Sequence, residues 1–99
     1  MKVQMVRANV KATAVPEIEA AGKRLLAALE LAQPQGMRYT TCRLPDGVTY
    51  VNLIAIDDGV DNPLLALPEA RAFQEGLKHW QASPPTSEQL TVFGSYRFF

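Results

Sequence analysis

The stretch Val48-Thr49-Tyr50-Val51-Asn52-Leu53-Ile54-Ala55-Ile56 decides the fold, because both of its alternating sets are apolar enough to bury. One set is Tyr50, Ile54 and Ile56, interrupted by Asn52; the other is Val51, Leu53 and Ala55. Such a strand belongs in the middle of a sheet that is covered on both faces. Just before it, Leu44-Pro45-Asp46-Gly47 has the residues of a type I turn, with Pro second, Asp third and Gly last. Met37–Arg43 therefore forms a hairpin with the decisive strand.

Further out, the period changes. Residues 15–32 place Ile18, Gly22, Leu25, Leu26 and Leu29 on one helical stripe. Pro16 suits the first turn, Glu17 and Glu19 favour the positive end, and Lys23 and Arg24 come later. Gln33-Pro34-Gln35-Gly36 ends that helix. A first strand spans about residues 2–11. After Ile56 comes the polar loop Asp57-Asp58-Gly59-Val60-Asp61-Asn62-Pro63, with Asn62 placed to cap a short turn starting at Pro63. Leu67-Pro68-Glu69 opens a second helix with Phe73, Leu77 and Trp80 as its buried stripe, and Ser83-Pro84-Pro85 stops it. Glu88–Phe99 alternates as a final strand.

This order predicts a ferredoxin-like βαββαβ fold over residues 1–99, a single domain in which a four-stranded antiparallel sheet carries two helices on one face. The first and third strands are central. The sets Val6/Ala8/Val10, Val51/Leu53/Ala55 and Leu90/Val92/Gly94 are small or aliphatic and are assigned to the helix side. Arg7/Asn9, Tyr39/Thr41/Arg43, Tyr50/Asn52 and Thr91/Phe93/Ser95/Arg97 mix aromatic and polar groups and are assigned to an interface. A slip of one residue would exchange these assignments. Two helices cover one face only, so the other face predicts a homodimer paired through the sheet.

Composition narrows the function classes. Ten basic and ten acidic residues cancel, and no arm or stripe of Lys/Arg points to nucleic acid or an anionic membrane. Cys42 is alone, so no internal disulfide forms, and the expected setting is the reducing cytoplasm. Met1–Arg7 alternates charge with apolar residues, unlike a signal peptide, and no apolar run approaches a membrane span of about 20 residues.

The element order, the length near one hundred residues, the short turn Pro63–Leu67 and the ending Gly94-Ser95-Tyr96-Arg97-Phe98-Phe99 resemble the dimeric α+β-barrel superfamily. The resemblance is to its antibiotic-biosynthesis-monooxygenase-like branch and covers essentially the whole chain. It implies two sheets paired face to face into a barrel. Some members of that branch oxidise aromatic polyketides without a cofactor, and some degrade haem. A cofactor-independent oxygenase acting on a small aromatic substrate is the activity implied. A non-catalytic dimeric module that binds an apolar small molecule, or a partner protein, is the alternative, and a haem-binding member is a third.

The resemblance and the residues together define the candidates. An oxygenase of this kind needs an apolar pocket with a few polar groups to hold a phenolate and move a proton. His79, Asn52 and Tyr50 are the candidate catalytic residues; Arg7, Asn9, Tyr39, Trp80, Tyr96 and Arg97 are the candidate ligand-binding residues. Haem-degrading members use an Asn, a Trp and a His, types found here as Asn9 or Asn52, Trp80 and His79. His79 and Trp80 are helix neighbours about 100° apart, however, so they diverge from one flat ligand. Trp80 completes the Phe73/Leu77 stripe and reads as core, and His79 reads as a boundary residue paired with Glu75. Asn52, if it faces a partner sheet, would find hydrogen bonds across the dimer from Arg7, Asn9 or Thr91.

No cofactor is implied. Asp57, Asp58, Asp61 and Asn62 lack the spacing of a calcium loop and read as a solvated turn, so no metal is expected. Cys42 has no neighbouring base to make it a nucleophile. Phosphate-cradling glycine loops, paired zinc motifs and nucleophile elbows are absent.

Overall fold

A computed structural model describes all residues 1–99. The chain runs β1 (Lys2–Asn9), a 3-10 turn (Ala12–Ala14), α1 (Val15–Ala32), β2 (Met37–Arg43), β3 (Thr49–Ile56), a second 3-10 turn (Pro63–Ala66), α2 (Pro68–Trp80) and β4 (Thr86–Leu90). The sheet is antiparallel throughout, in the order β2-β3-β1-β4, so β1 and β3 are central as expected.

Local chemistry sets most of these boundaries. Pro16 and Glu17 open α1, and Gln33 closes it in the left-handed region, at φ 45°, donating its N–H to the Leu29 carbonyl. In the hairpin turn, Gly47 at φ 78° donates to Leu44, and the Asp46 carboxylate accepts from Val48 N, Thr49 N and the Thr49 hydroxyl. The Asn62 side chain caps the second 3-10 turn by accepting from Leu64 N at 3.0 Å.

The helices lie side by side on one face of the sheet. Val10, Ile18 and Tyr50 form the centre of the packing, with Val15, Val48, Phe73, Leu77 and Trp80 against them. Trp80 therefore is a core residue, its indole edge-on to Phe73 at 6.4 Å. Gly76 makes that possible, since a Cβ there would clash with the Trp80 ring.

The register corrects the face assignment. Val6 lies opposite Asn52 and Ala8 opposite Tyr50, while Thr41 and Arg43 flank the same two residues from the other side. Tyr50, Asn52 and Ile54 thus face the helices together with Val6, Ala8, Tyr39, Thr41 and Arg43. Val51, Leu53, Ala55 and Leu90 look outward. Both sets of β3 are apolar, so pattern alone does not fix its parity; the long-range pairing with β1 does.

The last strand is also shorter than expected. β4 pairs with β1 until Leu90 meets Val3, and β1 itself begins at Lys2. Beyond Leu90 only Lys2 of β1 is left opposite, and residues 91–99 leave the sheet despite their alternating pattern. Arg97 turns the backbone at φ 59°, and Arg38 at the far edge donates to the Phe98 carbonyl at 3.4 Å. The tail thereby crosses the outer face from the β4 edge to the β2 edge. The outward pair Val3 and Ala55 is only 2% and 3% exposed, so part of the second face has cover from within the chain.

Candidate functional site

Between the helices and the sheet lies a cleft of about 390 Å³. Its walls are mainly apolar: Val6, Ala8 and Ile54 from the sheet, Leu25 and Leu26 from α1, Phe73 and Leu77 from α2. Gly22 contributes no side chain, which leaves the space in front of Phe73 open.

The polar groups inside come from β2 and β3. Asn52 sits in mid-strand with its amide oxygen buried and without a hydrogen-bond partner, the one such buried side-chain atom in the protein. An unpaired acceptor out of water costs about 1–3 kcal/mol, so its presence needs a reason. Tyr39 lies two positions along β2 from Thr41, which is Asn52's cross-strand partner. The Tyr39 hydroxyl has no protein partner, and burial pushes its pKa up. It remains a neutral donor at neutral pH.

At the rim, three side chains tie α1 to the hairpin. The Tyr50 hydroxyl donates to Glu19 Oε2 at 2.8 Å, and Arg43 donates to the same oxygen at 2.6 Å. Those two donors, the Tyr50 hydroxyl first, hold the Glu19 carboxyl below its ordinary range. Burial, reinforced by the bond to Glu19, raises the Tyr50 pKa. Lys23 lines the cleft one helical turn beyond Glu19.

Three candidate residues, Asn52, Tyr50 and Tyr39, therefore converge on this cleft. The others lie elsewhere. Arg7 and Asn9 are on the outer face, where Asn9 Nδ2 donates to Thr49 Oγ1 at 3.1 Å. His79 is exposed; Glu75 pairs with Lys78 at 3.1 Å, not with His79, and the His79 carbonyl accepts from Lys11. Tyr96 and Arg97 belong to the tail, where the Arg97 guanidinium stacks 5.1 Å from the Tyr96 ring centre. Arg97, with Arg38, Leu53, Ala55, Phe98 and Phe99, lines a second, outer cavity of about 310 Å³.

Asn52 itself corrects an expectation, since it faces the helices and is out of reach of any partner sheet on the outer side. Sequence reasoning missed Glu19, Lys23 and Arg43 as site residues. The hairpin turn did carry a signal for one of them, because a tight turn at 44–47 sets Arg43 opposite Tyr50.

No protein-family model and no curated protein matches the chain. Solved structures do. The chain has the fold of the antibiotic-biosynthesis-monooxygenase-like proteins, the α+β architecture that its sequence resembles. It is similar to SnoaB, a cofactor-independent oxygenase from Streptomyces nogalater, with 24% identity, 97% of each chain covered and a TM-score of 0.69. A protein from Nitrosomonas europaea grouped with the antibiotic biosynthesis monooxygenases gives 18% identity over 93% of this chain and 89% of its own, at a TM-score of 0.73. A protein from Pseudomonas aeruginosa gives a TM-score of 0.75 at 12% identity, with 94% of each chain covered. At these identities the likeness is one of fold.

Proposed function

We propose that the cleft binds a small, flat aromatic molecule carrying a hydroxyl or an enolisable carbonyl, and that the protein is a cofactor-independent, monooxygenase-like enzyme acting on it. The observation that carries this reading is the orphaned Asn52 amide in an otherwise apolar cleft. A primary amide offers both an acceptor and a donor, so it suits a ring oxygen in its hydroxyl and its ionised form. The fold shared with a cofactor-independent oxygenase supports the same direction.

For a ring CH2 conjugated through the arenes to a ring carbonyl, loss of a proton gives an enolate. Molecular oxygen then takes the electrons; one of its atoms stays as the new carbonyl and the other leaves as water. Asn52 and the neutral Tyr39 hydroxyl would hydrogen-bond the developing oxyanion in a site of low dielectric. Tyr50, bonded to Glu19, would lead the proton to the rim.

Anthrone, which fits this description, is a suitable probe. The native protein should bind 2-naphthol and consume oxygen with anthrone, yielding anthraquinone and water. Asn52→Leu should lose both, by tenfold or more in affinity at a hydrogen bond worth about 1.5 kcal/mol. Naphthol binding that is indifferent to Asn52→Leu would refute the site. Because His79 lies outside the cleft, a binding protein without turnover is the second reading. Retained binding with no oxygen uptake would select it.

We also propose that two copies pair through the outer face in the cytoplasm. Only eleven residues are buried, and Val92, Phe93, Tyr96 and Phe98 of the tail are exposed. A second copy of this chain offers the same apolar tail and the same outward Val51 and Leu53, which makes the contact self-complementary. Light scattering should give a doubled mass. Phe93→Ser with Phe98→Ser, at positions open to solvent in the single chain, should return the monomer mass; a native monomer would refute pairing.

A further inference from the structure

Resting on the small-molecule reading of the cleft, we propose that it selects ligands bearing an anionic group, seated at the rim between Lys23 and Arg43, with the ring inside.

The charged side chains lining the cleft are Glu19, Lys23 and Arg43, two cations against one anion. The single carboxylate is already engaged, accepting from both Arg43 and Tyr50 on one oxygen. Lys23 lies on the same face of α1 and makes no ion pair. A guanidinium has five N–H donors, and Arg43 spends its ion-pair contact on Glu19 through one nitrogen. The rim therefore carries one net positive charge above an apolar interior, and Arg43, engaged with Glu19 and beside the Tyr50 hydroxyl, still has N–H donors to spare. A carboxylate or sulfonate on an aromatic ring satisfies both conditions at once: its ring contacts Leu25, Ile54 and Phe73, and its anion sits between the two cations. The fixed Glu19 also gives selectivity. It repels a ligand that enters anion-first along Tyr50, so the acid group stays at the rim while a ring hydroxyl travels inward to Asn52.

The probes are 6-hydroxy-2-naphthoate and its neutral carboxamide, which differ only in the charge at one end. Each is titrated into the native protein at low and at high salt. The acid should bind about fivefold tighter than the amide, the gain of a partly exposed ion pair, and the preference should shrink at about 0.5 M salt. Lys23→Gln, at an exposed position with no bond to lose, should bring the two affinities within about twofold and leave melting unchanged. Asn52→Leu should weaken both ligands together. Equal binding of acid and amide to the native protein overturns the anion preference while leaving the cleft as a ligand site. Binding of neither overturns both.

Discussion

The two faces of the sheet differ in how they are finished. The helix side is closed by Ile18, Leu25 and Phe73 around a cleft, and inside it stands an amide oxygen with no partner. On the outer side the partly buried polar groups near the hairpin are paired: Asn9 with Thr49, and Thr49 with Asp46. Its apolar strip is covered at one end by the tail and left half-buried at Val51 and Leu53. Under the proposed function, the unsatisfied polarity would serve a small ligand on one side, and the unsatisfied apolar surface would serve a second copy on the other.

The largest expected effect separates the faces by packing. Ile18→Ala empties a buried position on the helix side and should cost about 3 kcal/mol of unfolding free energy. Leu53→Ala removes a half-buried side chain on the outer side and should cost about 1 kcal/mol in the isolated chain. Chemical denaturation at two protein concentrations checks the contrast. If the Leu53 cost grows with concentration toward that of Ile18, a second copy buries the outer face. A Leu53 cost equal to that of Ile18 at every concentration would erase the distinction.

Asn52→Leu comes next, with the opposite sign. Replacing the orphaned amide by an apolar side chain should stabilise the free protein by about 1 kcal/mol, while ligand affinity falls. A position that gains stability when function is lost is one retained for function. A destabilised Asn52→Leu protein would mean that the amide has a structural task.

How much of this was legible in the sequence follows from which contacts are local. The element order, the hairpin turn, the Asn62 cap and the Phe73/Leu77/Trp80 stripe all depend on residues a few positions apart, and the structure agrees with each. Tyr39, Thr41, Arg43, Tyr50 and Asn52 were grouped correctly because the turn at 44–47 links their strands. Their relation to Val6 and Ala8 was not legible, since every β1–β3 pair is forty or more residues apart and both sets of β3 are apolar. Residues 91–99 read as strand because alternation reports a side-chain pattern, not the presence of a neighbour; β1 ends first. The Glu19–Tyr50–Arg43 tie joins a helix to a hairpin, a contact that no local spacing encodes.

Gly22 tests the cleft more gently. In mid-helix, a glycine costs about 0.5–1 kcal/mol relative to alanine, and a Cβ here would meet nothing closer than Phe73 at 4.0 Å. Gly22→Ala should therefore raise stability by that amount and, by placing a methyl in the cleft, weaken the binding of a flat ligand. The melting curve and a naphthol titration read the two effects separately. Stabilisation with unchanged affinity would move the ligand's ring away from α1.

The smallest effect is the pH dependence of the rim. The Glu19 carboxyl is depressed in the folded protein, chiefly by the Tyr50 hydroxyl bond, relative to an ordinary value of 4.5. A depressed carboxyl stabilises the fold above that ordinary value, and the contribution fades as pH falls through the folded one. Native protein should therefore lose melting temperature below about pH 4.5 more steeply than Glu19→Gln, which keeps the side-chain shape without the titration. The gap is small because Glu19 lies in contact with solvent and its ion pair with Arg43 is screened. Acid should also release Arg43 and raise the positive charge of the rim, so a sulfonate, which stays ionised, should bind the native protein more tightly as Glu19 titrates. Parallel curves for native and Glu19→Gln would detach the tie from both stability and the rim's charge, and the helix side would then be distinguished from the outer side by Asn52 alone.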